Sequence, residues 1–189
     1  MDTTQRAERI IWVSLLLVFL LVFLQTAWVG DDVFITLRTV DNFIHGFGLR
    51  WNVVERVQTY THPLWMFAML PIFAFGRNAY LTAVILSLVF SMATLLVIAG
   101  HVRSKDAFPG LIVLLVSKAF IDFSVSGLEN PATHLFLALF CFCFWKQETQ
   151  EADVRRSVIT LSLFASILAL NRLDALLFLV PAFLFVLYR

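Results

Sequence analysis

Apolar positions run along this chain in long blocks separated by short polar turns. The block at 10–29 is long enough, as a helix, to cross a hydrocarbon core of about 30 Å. Further blocks lie at 64–75, 79–99, 107–123, 131–145, 158–170 and 175–188. The first of these is interrupted by Pro71 and is too short to span, which predicts an interfacial or re-entrant helix. The others, with 10–29, predict about six spans. Between the first span and that short helix the period changes: Val33, Leu37, Val40, Ile44 and Phe47 recur every three or four residues, one stripe of an amphipathic helix. Its polar side carries Asp32, Thr36, Thr39 and Asp41, and Gly46 and Gly48 end it before an extended stretch around Trp51. The expected fold is all-α, a polytopic transmembrane helical bundle with amphipathic juxtamembrane helices in a first loop at 30–78.

Composition agrees with the pattern. Of 189 residues, 60% are hydrophobic, 14% are charged and 20 are Phe, too little polar surface for a soluble domain of this length. Acidic and basic residues nearly cancel and no basic patch is present, which argues against a nucleic-acid partner and leaves membrane lipids as the surroundings. Arg6 and Arg9 precede the first block as they would in a secretory signal, but the block is too long and no small-residue cleavage site comes after it, so it reads as a retained anchor. Cys141 and Cys143 are spaced to face different sides of a helix and predict neither a disulfide nor a zinc site.

Charge sets the orientation. With 64–75 kept on the outer surface, Arg6, Arg9, Arg103, Lys105, Lys146, Arg155, Arg156 and Arg189 all fall in the cytoplasm, as the positive-inside rule requires. Asp31, Asp32, Arg38, Asp41, Glu55, Arg56, Glu129 and Arg172 then share the opposite, external face. The blocks 158–170 and 175–188 each reach only about 20 Å as α-helix, which puts Arg172 and Asp174 slightly below that surface. Ionisable groups at such depth usually face a polar cavity, the simpler alternative being an Arg172–Asp174 pair in a tight turn. Lys118 and Asp122, one turn apart, predict an intrahelical ion pair.

Two neighbouring carboxylates, Asp31 and Asp32, stand at the end of the first span. Either they are solvated acids at a helix boundary, or one is a general base held at the membrane surface. His45 and His62 raise a divalent metal as a minor alternative, since lone loop histidines more often pack or hydrogen-bond; no metal or other cofactor is expected. Trp51, Tyr60 and Trp65 suit either sugar stacking or anchoring at the headgroups.

The loop sequence Asp31-Asp32-Val33-Phe34-Ile35-Thr36-Leu37-Arg38, then Asp41-Asn42, His45-Gly46-Phe47-Gly48-Leu49-Arg50-Trp51-Asn52 and Glu55-Arg56-Val57-Gln58-Thr59-Tyr60-Thr61-His62-Pro63-Leu64-Trp65 resembles the first external loop of bacterial membrane glycosyltransferases of the C-type fold. It most resembles the terminal arabinofuranosyltransferases of actinobacterial cell walls. The likeness covers roughly residues 10 to 76, extends more weakly through Ser126-Gly127-Leu128-Glu129-Asn130-Pro131, and is faintest at Asn171-Arg172-Leu173-Asp174.

The resemblance implies a donor sugar on a polyprenyl phosphate, a glycan, glycolipid or protein acceptor, and an acid of the first loop, Asp31 or Asp32, as catalytic base. Charge develops on the leaving phosphate, and a guanidinium nearby would stabilise it. Arg172 is the leading candidate, with Arg56 and Arg38 as alternatives; Glu129, Tyr60, His62 and Trp65 complete the expected binding set. The implied location is the bacterial cytoplasmic (inner) membrane, with the active side external. The family's enzymes are considerably longer, so residues 1–189 are expected to be the N-terminal part of a longer transferase domain. Two other readings are a relative that glycosylates protein or lipid A with another sugar, and a transport or scaffold subunit. The second is disfavoured because transporters place ionisable groups near the midplane, whereas the acids here gather at one surface.

Overall fold

The computed structural model describes residues 3–55, 57, 59–101, 104–149 and 153–188. Arg56, one of the expected binding residues, lies outside them, as do Gln58 and the topology markers Arg103 and Arg189.

Among the described residues every regular element is helical. The order is α1 (Thr3–Thr26), α2 (Asp31–Ile44), α3 (Pro63–Gly76), α4 (Ala79–His101), α5 (Ser104–Val116), α6 (Lys118–Val125), α7 (Asn130–Thr149), α8 (Val154–Asn171), a 3₁₀ helix (Leu173–Leu179) and α9 (Val180–Tyr188). Against about six expected spans, three helices among the described residues are long and apolar enough to cross a membrane, Arg6–Thr26, Ala79–His101 and Val154–Asn171, or four if the bent pair α5–α6 makes one span; α7, at block 131–145, is not among them. The chain is a helical membrane bundle.

Two expected spans have a different form. Block 107–123 is not one straight helix, because α5 and α6 meet at a 70° bend. Ser117 sits there in an extended conformation, and its hydroxyl accepts from the Phe120 N–H at 3.3 Å, so a new helix is capped where the old one stops. The last block begins as a 3₁₀ helix before Pro181, which has no N–H to continue an α-helical ladder. At about 2 Å per residue that stretch lengthens the segment to about 27 Å, so it reaches further than an all-α count allows.

Three clusters hold the bundle together. Val33, Leu37 and Val40 of α2 meet Trp65, Met66, Met69 and Phe73 of α3 and Ala83 and Leu86 of α4. Phe19 and Phe23 of α1 meet Leu95, Leu111, Phe120, Ile121 and Val125. Phe140 of α7 packs with Leu161 and Leu168 of α8 and with Ala175, Leu179, Ala182 and Val186 of the final segment. The outward faces stay apolar: Leu21, Leu163 and Leu177 are all exposed, as lipid-facing residues must be.

Packing brings the ends of α1, α6 and α8 to the start of α7. Trp28 and Gly30 donate their N–H groups to the carbonyls of Val125 and Ser126, each at 3.1 Å. Asn171 donates to the Glu129 carbonyl at 3.1 Å. At the other end of α4 and α7, His101 stacks on Phe142. Arg6 and Arg9 near the start of α1, Lys146 near the end of α7, and Arg155 and Arg156 in the first turn of α8 therefore lie away from the acid-rich end.

Candidate active site at the acid-rich end of the bundle

α2 carries the acid pair in its first turn. Gly30 caps the helix without a side chain, and Asp31 and Asp32 supply negative charge where the helix dipole is positive. The Asp32 N–H donates to Asp31 Oδ1 at 3.1 Å, so the two acids are not equivalent. Helical rotation then separates them further. Asp32 lines a cavity of about 440 Å³, and Asp31, also exposed, is not among its lining residues.

The stripe expected for α2 is present: Val33, Leu37 and Val40 are buried. The helix stops at Ile44, however, and Phe47 lies beyond it, half exposed. Gly46 and Gly48 both take positive φ, at 81° and 84°, a conformation that turns the chain back and disfavours other residues. Asn42 then donates to the carbonyls of Arg50 and Trp51, each at 2.8 Å, and Arg38 lies over the Trp51 ring while donating to its carbonyl. Arg38 thereby serves the loop. Of the polar side of α2, Asp32 is exposed and Asp41 half exposed, whereas Thr36 and Thr39 are buried beneath residues 59–62.

That loop delivers His62 to the cavity floor. Its Nε2 bonds Thr36 Oγ1 at 2.8 Å, while Nδ1 faces Glu129 Oε2 at 3.7 Å, a charge contact too long for a hydrogen bond. Nδ1 also stands 3.4 Å from the Thr61 hydroxyl, so the imidazole is held between the hydroxyls of Thr36 and Thr61. Burial holds the imidazole below its ordinary pKa, and the Glu129 and Asp32 carboxylates partly offset that.

Glu129 enters from the loop between α6 and α7. Gly127 makes this possible: its φ is 78°, and a Cβ there would stand 3.0 Å from the Ala83 Cβ and 3.2 Å from Val33. The loop thus lies flat against α2 and α4, with the Trp65 indole N–H donating to the Gly127 carbonyl at 3.2 Å. Trp65 was expected at the binding surface, but it is 1% exposed and is not among the cavity's lining residues. It supports the loop from beneath.

Arg172, the C-cap of α8, closes the site. Its Nε donates to both carboxylate oxygens of Asp174, at 2.8 and 3.1 Å, and its Nη1 donates to Asn130 Oδ1. Glu129 Oε1 stands 3.6 Å away. The Asp174 hydrogen bond chiefly raises the guanidinium's already high pKa, so Arg172 stays charged. The pairing with Asp174 and the cavity position, set as alternatives on sequence grounds, are both present.

The cavity therefore gathers Asp32, His62, Glu129 and Arg172 of the expected set, with Thr36, Thr61, Asn130 and Phe123 not among the expected site residues. Thr36 had a signal, one helical turn after Asp32; Asn130 had none beyond its neighbour. Tyr60 lines a second cleft of about 460 Å³, which shares Thr61, Glu129 and Arg172 with the first. A third, largely apolar cleft of about 600 Å³ adjoins through Phe123 and Leu128 and is lined also by Trp28 and by the paired Lys118 and Asp122. Among the described residues no three His, Cys, Asp or Glu side chains converge as metal ligands would.

The chain is similar to a terminal beta-(1->2)-arabinofuranosyltransferase of Mycobacterium tuberculosis, at 29% identity over 128 residues. The likeness supports a related glycosyltransferase. It takes in 61% of this chain and 20% of the mycobacterial protein, so the chain spans about a fifth of the length of the curated relative it matches. No protein-family model matches the chain, and no solved structure does.

Proposed function

We propose that this chain is the base-bearing part of a membrane glycosyltransferase that moves a pentose, arabinofuranose, from a polyprenyl-phosphate donor to an envelope glycan or glycolipid at the external face of the bacterial cytoplasmic membrane. The observation that carries the reading is the convergence on one cavity of Asp32 from the first turn of α2, Glu129 from the loop before α7 and Arg172 from the end of α8.

In this reading the acceptor hydroxyl attacks the anomeric carbon and gives its proton to the Asp32 carboxylate. The bond from that carbon to the phosphate oxygen breaks, and the electron pair leaves with the polyprenyl phosphate. Arg172 stabilises the growing charge on the phosphate. Glu129 and Asn130 hold the guanidinium in place. The apolar cleft next to the cavity favours a lipid-borne donor, since it offers Trp28, Phe123 and Leu128 to a hydrocarbon chain.

The test is transfer by the full-length protein in membranes, with a synthetic polyprenyl-phosphoryl arabinofuranose as donor and an arabinofuranose oligosaccharide as acceptor. Release of polyprenyl phosphate matched by a lengthened oligosaccharide is expected. An intact donor under conditions where the protein is folded refutes the reading.

A further inference from the structure

We propose that the cleft where the end of α4 meets α7, lined by Lys146 and His101 together with Leu139 and Phe142, binds the headgroup phosphate and upper acyl chain of an anionic phospholipid. The site lies at the end of the bundle opposite the Asp32 cavity and does not depend on the transferase reading.

The cleft holds about 390 Å³, within the range of small-molecule sites. Leu139, Phe142, Cys143, Lys146 and Thr149 line it, and their spacing puts them on one face of α7. Polarity is graded along that face. Hydrocarbon comes first, and the ammonium and hydroxyl follow about 10 Å further toward the end of the helix, at 1.5 Å per residue. A phospholipid in one leaflet has the same order, its tail toward the bilayer centre and its charge at the interface. A soluble anion would use only the polar end of the cleft, and a neutral hydrocarbon only the apolar end. Trp145, also in the lining and 71% exposed, stands where the two meet, the position amphipathic rings take at a membrane surface.

Charge decides which headgroup fits. In the three clefts at and beside the acid-rich end, Arg172 is paired with Glu129 and Asp174, and Lys118 with Asp122. No carboxylate lines the cleft at Lys146. Its ammonium therefore offers an unmatched positive charge to a phosphate, as basic pockets between membrane helices do. His101 is held in place beside it. Its Nδ1 lies 2.9 Å from the Val97 carbonyl, which only accepts, so that nitrogen carries a hydrogen; the ring stacks on Phe142 with centroids 4.9 Å apart. Nε2 is left for a ligand: neutral, it accepts from a headgroup hydroxyl, and protonated, it donates to a phosphate oxygen.

The experiment titrates the full-length protein in detergent micelles with phosphatidylglycerol or phosphatidylcholine brominated on the acyl chains, which quench a tryptophan they touch. Subtracting the signal of Trp145→Phe isolates Trp145. Half-maximal quenching by phosphatidylglycerol is expected at a mole fraction roughly fivefold below that for phosphatidylcholine. Lys146→Gln should erase the preference and Lys146→Arg should keep it. Arg155→Gln should keep it too, since it removes a charge at the same end of the bundle but outside the cleft. Glycerol phosphate, which has the anion without the chains, should not relieve the quenching. Equal quenching by the two lipids, a preference lost as fully in Arg155→Gln as in Lys146→Gln, or relief by glycerol phosphate overturns the site. So does a Trp145 that neither lipid quenches, because protein then covers the cleft.

Discussion

Glu129 Oε1 stands 3.6 Å from Arg172 Nη1, joining the loop before α7 to the end of α8. The Glu129 side chain is only 14% exposed, so this contact is screened less than a surface pair. Arg172 is meanwhile held by Asp174 on its Nε edge. In the proposed reaction a donor phosphate would have to draw the guanidinium partly away from carboxylates that already neutralise it, so the geometry of the cation would matter as much as its charge.

Replacing Arg172 by Lys keeps the charge but loses the paired donors, so transfer by the full-length protein should fall moderately. Arg172→Ala should lower it strongly and should also destabilise the fold by about 1 kcal/mol, because Glu129 and the buried Asn130 lose a partner that is itself partly solvated. Kinetics and denaturant unfolding measured together check both. Near-normal kcat/KM in Arg172→Ala removes the phosphate role.

The two acids should separate cleanly. Asp32 faces the cavity and Asp31 does not line it, so Asp32→Asn should lower turnover by roughly 10² to 10⁴ with donor binding largely kept. Asp31→Asn should cost about tenfold or less, because the amide Oδ1 can still accept from the Asp32 N–H. Severe loss in Asp31→Asn with little in Asp32→Asn would reverse the assignment.

His62 should make stability depend on pH. Its folded pKa lies below the ordinary value of 6.5, so as pH falls below 6.5 the unfolded chain binds more protons than the folded one. The stability contributed by the neutral imidazole is present above 6.5 and is lost toward the lower folded pKa. Melting temperatures from pH 8 to pH 5 should show this decline, and His62→Gln should flatten it. A parallel pair of curves contradicts the assignment of neutral His62 between Thr36 and Glu129.

Gly127 should tolerate no side chain. Gly127→Ala adds a Cβ 3.0 Å from Ala83 at a φ of 78°, which predicts about 1–3 kcal/mol of destabilisation. It should also weaken transfer, since the loop carrying Glu129 must lift from α2. Unfolding and activity assays that both match the native protein rule out this close approach.

Orientation is open to labelling. In a background with Cys141→Ala and Cys143→Ala, Val54→Cys on the highly exposed part of the first loop should react with an impermeant reagent in intact cells. Arg155→Cys should react only after lysis. The reverse pattern overturns the charge-based topology.

Block length and periodicity are local properties, and through them the sequence alone determined a helical membrane bundle, a buried stripe of Val33, Leu37 and Val40, and a Lys118–Asp122 pair one turn apart. Alternating helices also indicated which loops share an end, and hence that Asp32, Glu129 and Arg172 belong together. Helix packing decided the rest. Which of two adjacent acids faces the cavity depends on how α2 is rotated against α3 and α4, and the neighbours doing the rotating lie far along the chain. Trp65 has the composition of a binding residue and the position of a core one, because the loop at Gly127 lies across it. Thr36 and His62 become partners, and Asn171 acquires an unmatched oxygen, only when segments distant in sequence close on one another. Hydrophobic burial selects elements residue by residue, whereas a polar site is set by directional bonds among residues that packing has already brought into contact.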